Sequence, residues 1–230
     1  MQKITDGLYT LTGLVMGRVY LIDDGGEYSL IDAGIPPAGN WIVKQLQKEG
    51  VDLTAVKNII ITHAHPDHVS GVPVVQRATG AKLIVPEGER AVVDGEMAPP
   101  LPPKEELRGL KKLIRPSIIF KDMKADHTVQ DGDILPVMGG LHAVFTPGHA
   151  PGHMSYWQPE RRILFVGDAI FRMPRLRLPY SFLTVDMAEN KRSIKKILAL
   201  EPKIVCFGHG KPLTENGTEQ LRAFAQKVGI

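Results

Sequence analysis

The sequence predicts an α/β fold in which two mixed β-sheets pack face to face and carry helices on their outer faces. Short apolar and β-branched segments alternate with helical periodicities along the chain. The mixed strand and helix pattern of the first half recurs in the second half. We therefore expect a single domain over residues 1–230, with a proline-rich and helical insert at about residues 94–127.

Composition and charge are those of a globular domain, with 230 residues, 43% of them hydrophobic and 23% charged. A net charge of +3 is too small to predict binding to nucleic acid or to an anionic membrane. Apolar runs stay far below the roughly 18 residues of a membrane span, and the N-terminus lacks the apolar core of a signal peptide. The single cysteine, Cys206, fits a reducing compartment. We expect a cytoplasmic monomer or homodimer that acts on a small molecule.

The first half of the chain predicts a hairpin followed by alternating helices and strands. Two apolar segments, residues 13–23 and 27–32, flank an Asp-Gly-Gly turn, which is a hairpin signal. Residues 40–49 have apolar side chains at helical spacing and end at Gly50. The next predicted elements are a strand over 56–62, a helix over 66–79 capped by Gly80, and a strand over 81–85.

The second half begins after the insert. Its predicted strands cover residues 141–146, 154–158, 162–167 and 203–207, and its predicted helices cover 186–200, with Asp186 as N-cap, and 218–228. In the insert, a run of prolines at 99–103 precedes a predicted helix over about 104–114, with Leu107, Leu110 and Ile114 on one face. The insert is either a lid over a site or a solvated connector.

Residues 63–68, His-Ala-His-Pro-Asp-His, are the most informative motif in the chain. They lie where one predicted strand ends and a helix begins, and strand ends are where ligands gather in α/β folds. Four potential ligands fall within these six residues. Imidazole and carboxylate are the ligands that zinc takes when no thiolate is offered. The motif predicts a metal site, with a polar surface loop as the alternative.

Three further clusters follow predicted strands. They are Thr-Pro-Gly-His-Ala-Pro-Gly-His at 146–153, Gly-Asp at 167–168 and Gly-His-Gly at 208–210. Each presents a ligand-type side chain beside glycine or proline, residues that hold unusual backbone angles. A recurrence of such clusters at strand ends favours one shared site.

The four motifs, in this order, resemble those of the metallo-β-lactamase superfamily, and the resemblance spans about residues 13–210. It implies an αββα sandwich and two divalent metal ions, with Zn²⁺ favoured over Fe or Mn. The ligand set that it implies is His63, His65 and His149 for the first ion, Asp67, His68 and His209 for the second, and Asp168 as a bridge between them.

Seven ligands for two ions would leave coordination positions open, which is typical of a catalytic site. The resemblance implies a hydrolase in which a metal-bridging hydroxide attacks a small ester, thioester or lactone. Asp67 or Asp168 would carry the proton to the leaving group. The alternatives are an iron-dependent oxidoreductase like the persulfide dioxygenases, a phosphodiesterase, and a non-catalytic metal-binding protein.

Other residues are expected near the ions. Asp32 resembles the family's aspartate that accepts an N–H from a ligand imidazole, or it only forms a turn. His153 is a substrate contact or a support for a ligand, and otherwise structural. Arg172, with its neighbours Arg175 and Arg177, either faces an anionic substrate group or is solvated loop charge.

Differences between this sequence and the motifs of known branches of the superfamily reduce the number of activities that the resemblance implies. Asp168 stands where class B β-lactamases have Cys or Ser, which argues against antibiotic hydrolysis. The Gly-Cys-Gly-Arg stretch of glyoxalase II and the persulfide dioxygenases is absent after Asp168, and 21 residues (230 − 209) follow His209, too few for the glutathione-binding segment of glyoxalase II. Phe171 stands where the homoserine lactonases have Tyr. A stand-alone hydrolase of the broad glyoxalase II-like branch remains.

Overall fold

The computed structural model describes residues 1–14, 16–103, 105 and 118–230. In these residues the first sheet has seven strands, in the order β1 (Gln2–Thr5), β2 (Leu8–Thr10), β3 (Tyr20–Asp23), β4 (Tyr28–Ile31), β5 (Val56–Ile60), β6 (Lys82–Pro86) and β7 (His127–Val129). The second has five, in the order β14 (Ile204–Phe207), β11 (Ile163–Gly167), β10 (Met154–Gln158), β9 (Leu141–Phe145) and β8 (Ile134–Leu135). Strands β12 (Phe171–Arg172) and β13 (Leu176–Arg177) form a small ribbon.

Helices cover both outer faces of the two sheets, and the predicted sandwich is confirmed. The helices are α1 (Pro36–Lys48), α2 (Pro66–Val69), α3 (Val72–Thr79), α4 (Arg90–Val93), α5 (Met187–Ala199) and α6 (Gly217–Lys227). One apolar cluster lies between the sheets and joins, for example, Ile60 to Phe165. A second packs α1, α3 and α4 on the first sheet, and a third packs α5 and α6 on the second. Burial of these faces supplies the main driving force for folding.

Strand direction brings several strand ends to one edge of the molecule. Strands β4 to β7 pair in parallel, and β11 pairs in parallel with β14. Strand β9 is antiparallel to β10, which is antiparallel to β11, so β9 and β11 run in the same direction. Ligand sites in such sheets lie at the carboxyl ends of the strands. The four predicted motifs follow β5, β9, β11 and β14 at these ends.

The predicted strand over residues 13–23 is wrong in its first part, because β3 begins only at Tyr20. Gly13 and Gly17 have φ angles of 81° and 72°, which interrupt a strand. A Cβ atom at Gly17 would lie 2.3 Å from the carbonyl oxygen of Asp67. The segment therefore crosses the 63–68 motif at close range, and strands β1 and β2, which were not predicted, complete the sheet.

The predicted helix over 66–79 is divided into α2 and α3. Pro73 near the start of α3 has no N–H to continue the ladder of α2. A Cβ atom at Gly71 would lie 2.1 Å from the carbonyl oxygen of Ala33, so the break also brings the chain against the end of β4. Helix α1 begins at Pro36 instead of residue 40, since proline is tolerated in a first turn.

The other predicted elements agree with the structure to within two residues at each end. Gly80 ends α3 with φ of 73°, and the side chain of Asp186 accepts the Glu189 N–H at the start of α5, as predicted. Apart from residue 105, the predicted helix over 104–114, with Leu107, Leu110 and Ile114, lies outside the described residues. Among the helices of the described ranges, none is long and apolar enough to cross a bilayer.

Two buried tyrosines join the sheets immediately before histidine motifs. The Tyr156 hydroxyl on β10 donates to the carbonyl oxygen of Ile61 at 2.8 Å. The Tyr20 hydroxyl on β3 donates to the carbonyl oxygen of Phe207 at 2.7 Å. Both side chains are almost wholly buried, so each hydrogen bond ties one sheet to a strand end of the other.

Removal of one of these hydroxyl groups should cost stability. We expect Tyr156→Phe to lower the free energy of unfolding of the metal-free protein by about 1–3 kcal/mol, because the Ile61 carbonyl loses its buried donor. Urea unfolding measures the loss. The control is Tyr28→Phe, on a half-buried side chain of the first sheet, and equal losses in the two variants would contradict the interpretation.

Candidate metal centre

The predicted ligand residues converge at the shared edge of the two sheets. Their donor atoms form three overlapping groups, each with all atoms within 4.8 Å of one another. The groups are His63, His65 and His149; His63, His68 and Asp168; and Asp67, His68 and His209. All seven residues named by sequence therefore lie in one cluster.

Asp168 lies at the centre of this cluster. Its Oδ2 is 3.2 Å from His209 Nε2, 3.4 Å from His149 Nε2 and 3.5 Å from His68 Nε2. The carboxylate thus faces histidines of both outer groups. This is the position that the sequence resemblance implies for a bridging ligand.

Several atoms of the cluster that could ligate a metal are buried without a hydrogen-bond partner among the described residues. They are His63 Nε2, His68 Nε2 and Asp168 Oδ1. In addition, His149 Nε2 lies 3.0 Å from His65 Nδ1, so two ring nitrogens face each other. Buried polar atoms are normally paired, because an unpaired one costs free energy. Lone pairs that converge on one point fit a divalent cation.

Neighbouring hydroxyl groups determine which ring nitrogen carries the proton. Thr62 Oγ1 donates to Asp32 Oδ2 at 2.9 Å, so it is an acceptor for His63 Nδ1 at 3.1 Å. Thr184 Oγ1 donates to the Tyr180 carbonyl at 2.9 Å and in the same way accepts from His149 Nδ1 at 3.2 Å. With Nδ1 protonated, the Nε2 lone pair of each histidine faces the cluster.

Asp32 supports a third histidine. Its Oδ2 is 2.8 Å from His68 Nδ1, and its Oδ1 accepts the Thr62 N–H at 2.8 Å. Asp32 has φ of 60°, in the left-handed region that is costly for a residue with a Cβ. The strained backbone turns the carboxylate from the end of β4 toward the ring. This contact is the one expected from the sequence.

His153 lies beside the cluster and belongs to none of its three groups. Its Nε2 accepts the backbone N–H of Asp168 at 3.0 Å, and its Nδ1 is 2.9 Å from Thr146 Oγ1. Burial lowers the pKa of His153 to about 4, so the ring is neutral near pH 7. From the sequence, His153 was a substrate contact, a support for a ligand, or a structural residue. In the structure it contacts the backbone of Asp168 and does not line the cavity, which favours the supporting role.

The electrostatics separate the histidines into two sets. Burial lowers the pKa of His63 and His149 well below the ordinary value and that of His65 to about 4. These rings are neutral near pH 7, which leaves their lone pairs available for a metal. Burial also acts against the charge on His68, but the carboxylates of Asp168 and Asp32 raise its pKa well above the usual range.

Asp67 and His209 form an ion pair at the more open side of the cluster, 3.1 Å apart. Burial disfavours the charged form of both side chains, since it acts to raise the pKa of Asp67 and to lower that of His209. The Asp168 carboxylate nevertheless raises the pKa of His209 to about 9, and the charge of His68 lowers the pKa of Asp67 to about 2. A cation bound here would displace the His209 proton.

A cavity of about 800 Å³ opens above the cluster. His65, Asp67, His149, Asp168 and His209 reach its floor, and its walls include Leu14, Met16, Arg18, Phe171, Arg172, Met173, Tyr180, Leu183 and Lys211. The Phe171 ring centroid is 4.7 Å from that of His209 and 6.1 Å from that of His149. The walls are mainly apolar, and the floor is polar.

The predicted arginines have different surroundings. Arg172 lines the cavity, and its Nη1 donates to the carbonyls of Lys211 and Pro212 at 3.1 and 2.7 Å. Its guanidinium thus holds the loop after His209. Arg177 lies over the Tyr180 ring at 4.4 Å from the centroid, and Arg175 is exposed.

Sequence reasoning missed the supporting residues. Thr62 and Thr184 orient two of the histidines, and the carboxylate of Glu89 accepts two backbone N–H groups of the histidine loops. Single threonines and a glutamate in a polar turn form no spacing pattern. Only Thr62, directly before the first motif, offered a signal by its position.

The fold and the convergent donors under an open cavity define a metal-dependent hydrolase. The chain belongs to the metallo-beta-lactamase superfamily, because the family model matches residues 12–209, most of its length. The fold class and family expected from the motifs are thus confirmed.

Individual relatives agree with this assignment. Over 243 residues the chain is 28% identical to the probable metallo-hydrolase YflN of Bacillus subtilis, covering 96% of this chain and 91% of the relative. Over 207 residues it is 30% identical to a hydroxyacylglutathione hydrolase of Cereibacter sphaeroides, covering 88% of this chain and 66% of the relative. The fold is similar to BJP-1, a subclass B3 metallo-beta-lactamase of Bradyrhizobium japonicum, with a TM-score of 0.72 at 22% identity, over 99% of this chain and 89% of that one.

The pKa of His209, raised mainly by Asp168 and further by Asp67, predicts a pH-dependent stability of the metal-free protein. The pKa of His209 is about 9 in the fold and about 6.5 in an unfolded chain. The folded state therefore holds the extra proton between these values, and this stabilisation is complete below pH 6.5 and is lost as pH rises through 9. We expect a loss of about 1–3 kcal/mol over this window that His209→Asn abolishes.

Urea unfolding of chelator-treated protein at pH 6.5 and pH 9.5 measures this difference. His68 is present in both proteins, so the comparison reports the contribution of His209 together with its interaction with His68. The same pH slope in the native chain and in His209→Asn would contradict the prediction.

Proposed function

We propose that this protein is a dinuclear zinc hydrolase that cleaves a small ester, thioester or lactone. The observation that carries the proposal is the arrangement of donors on the cavity floor. Two groups that share no residue, one of three histidines and one of Asp67, His68 and His209, flank the central Asp168. Two separate groups with a carboxylate between them favour two ions over one.

The donor chemistry favours zinc. The groups contain imidazole nitrogens and carboxylate oxygens only, and the single thiol, Cys206, is buried within β14. Zinc accepts this set at four-coordinate sites, and sites that keep open positions are catalytic. When bound, two such ions supply a nucleophilic water at neutral pH and polarise the carbonyl of the substrate.

The chain's own residues supply orientation and proton transfer. Asp32, Thr62 and Thr184 hold the histidine rings with their lone pairs toward the cluster. Asp67 and Asp168 are the carboxylates able to carry a proton to the leaving group. The Asp67 side chain is 19% exposed and that of Asp168 is 3% exposed, so Asp67 is the more accessible from the cavity.

The cavity walls support a substrate with an apolar acyl or aryl group. Met16 and Met173 border the opening and are 52% and 44% exposed, while Phe171 and Leu183 lie deeper. Arg18 and Lys211 add positive charge to the walls. Burial of an apolar acyl chain against the methionines would contribute about 25 cal/mol per Å² to binding. Membrane or nucleic-acid partners are not expected, and a cytoplasmic location stays a prediction.

Metal content and substrate assays test the proposal together. We expect about two zinc ions per purified chain, turnover of a thioester, lactone or aryl ester, and little turnover of an aryl phosphodiester. Asp168→Asn should lower kcat/KM by about a hundredfold or more, since its carboxylate faces both groups. Elemental analysis and steady-state kinetics give these values.

Other outcomes of the same experiment would replace the proposal. Bound iron with oxygen uptake would indicate a dioxygenase, and turnover of the phosphodiester alone would indicate a phosphodiesterase. Bound metal without turnover of any activated ester would indicate a binding protein. A protein without stoichiometric metal would refute the dinuclear centre.

The methionines at the opening predict chain-length selectivity. Met16→Ala and Met173→Ala should each lower kcat/KM for a long-chain acyl thioester about three- to tenfold, because apolar contact area is lost. The acetyl thioester should be unaffected. Met97→Ala is the matched control, since Met97 is 45% exposed and lies outside the cavity lining. An equal effect on both acyl lengths would exclude the proposed contact.

A further inference from the structure

Glu89 is a buried carboxylate outside every predicted motif. It lies in the turn between β6 and α4 and is 2% exposed. Its Oε2 accepts the backbone N–H of Ala64 at 2.9 Å, and its Oε1 accepts the backbone N–H of Gly152 at 2.7 Å. No salt bridge to Glu89 occurs among the described residues. Burial raises the pKa of this carboxyl to about 7, although the two N–H groups act to lower it. The buried position therefore disfavours the charged form of the side chain.

The two N–H groups belong to two different histidine loops. Ala64 lies between His63 and His65, and Gly152 lies in the loop over residues 146–153 that contains His149. The group of three histidines takes members from both loops, whereas the group of Asp67, His68 and His209 takes none from the second loop. One carboxylate therefore fixes the spacing of two loops that both supply ligands to the histidine group, whereas the other group takes its ligands from only one of them.

The backbone around Glu89 is packed at close range. A Cβ atom at Gly152 would lie 2.5 Å from the carbonyl carbon of Gly88 and 2.8 Å from Glu89 Cγ. A Cβ atom at Gly88 would lie 2.8 Å from Gly152 Cα. The turn and the second loop thus meet backbone to backbone, and a glycine on each side is required. Such contact leaves the carboxylate little freedom to move.

We propose that Glu89 is a positioning residue that joins the two loops and thereby sets the metal affinity of the group His63, His65 and His149. Two backbone donors need two acceptors on one side chain, and a carboxylate supplies both. A glutamine amide supplies one acceptor and would turn an N–H group toward a backbone N–H. The inference rests on the metal centre of the proposed function but is independent of its substrate.

Chelator titration of the zinc-loaded protein tests the effect on the metals. Supporting residues around metal ligands typically change affinity 10- to 100-fold. We expect Glu89→Gln to release one of two ions at a chelator concentration at least about tenfold lower than the native chain does, and to retain the other unchanged. Glu87→Gln, in the same turn but exposed, removes the same charge and should leave both steps unchanged.

Amide hydrogen exchange of the metal-free protein gives a readout that needs no ion. The N–H groups of Ala64 and Gly152 should both exchange faster in Glu89→Gln and not in Glu87→Gln. Ile42→Val in the core of α1 serves as a control for a general loss of stability and should accelerate neither amide selectively.

The outcomes separate this inference from the proposed function. Unchanged exchange at both amides, or equal weakening of both ions, would overturn the role of Glu89, even if the native protein hydrolyses an ester. Selective loss of one ion would uphold it, even if no ester is hydrolysed. A native protein that binds no metal would overturn both.

Discussion

The convergence of buried lone pairs on one point is the constraint on which the rest of the structure depends. Imidazole rings and two carboxylates face one another at the edge of the sheets, where each polar atom would cost free energy if unpaired. Surrounding residues keep three of the rings in place by contacting the side that faces away from the cluster. Asp32, Thr62 and Thr184 contact Nδ1 of His68, His63 and His149, so Nε2 of each of these rings is directed toward the cluster.

The packing of the two sheets also helps to hold the ligand residues in position. Each predicted motif lies at the end of a strand, and the ends of two of these strands, β5 and β14, are held from the opposite sheet by the hydroxyls of Tyr156 and Tyr20. The two hydrogen bonds run in opposite senses, one from each sheet. The relative position of the sheets is thus coupled to the relative position of the donors, and the apolar core between them contributes to the geometry of the site as well as to stability.

Local signals made most of the architecture predictable from the sequence. Strand β10 and the Asp186 cap of α5 were predicted to the residue, because a short strand segment and a helix cap are each encoded within a few positions. The ligand residues were found because their spacing in 63–68 is unusual and their order resembles a known superfamily. Glu89 and Thr184 were not, since each acts on a loop far away in the sequence. The predicted strand over 13–23 was wrong in its first part because Gly13 and Gly17 take positive φ angles, and the close approach of Gly17 to Asp67 is not visible in the local sequence.

The floor and the rim of the cavity are built from different kinds of structure. Strand ends and their fixed rings form the floor, whereas Met16 and Met173 stand on irregular segments at the opening. Methionine side chains are unbranched and adapt to many shapes. Substitutions at the rim can therefore redirect substrate choice without disturbing the hydrogen-bonded donors below. An enzyme of this construction is suited to promiscuity, and a new specificity could evolve from it in small steps while the inherited chemistry stays intact.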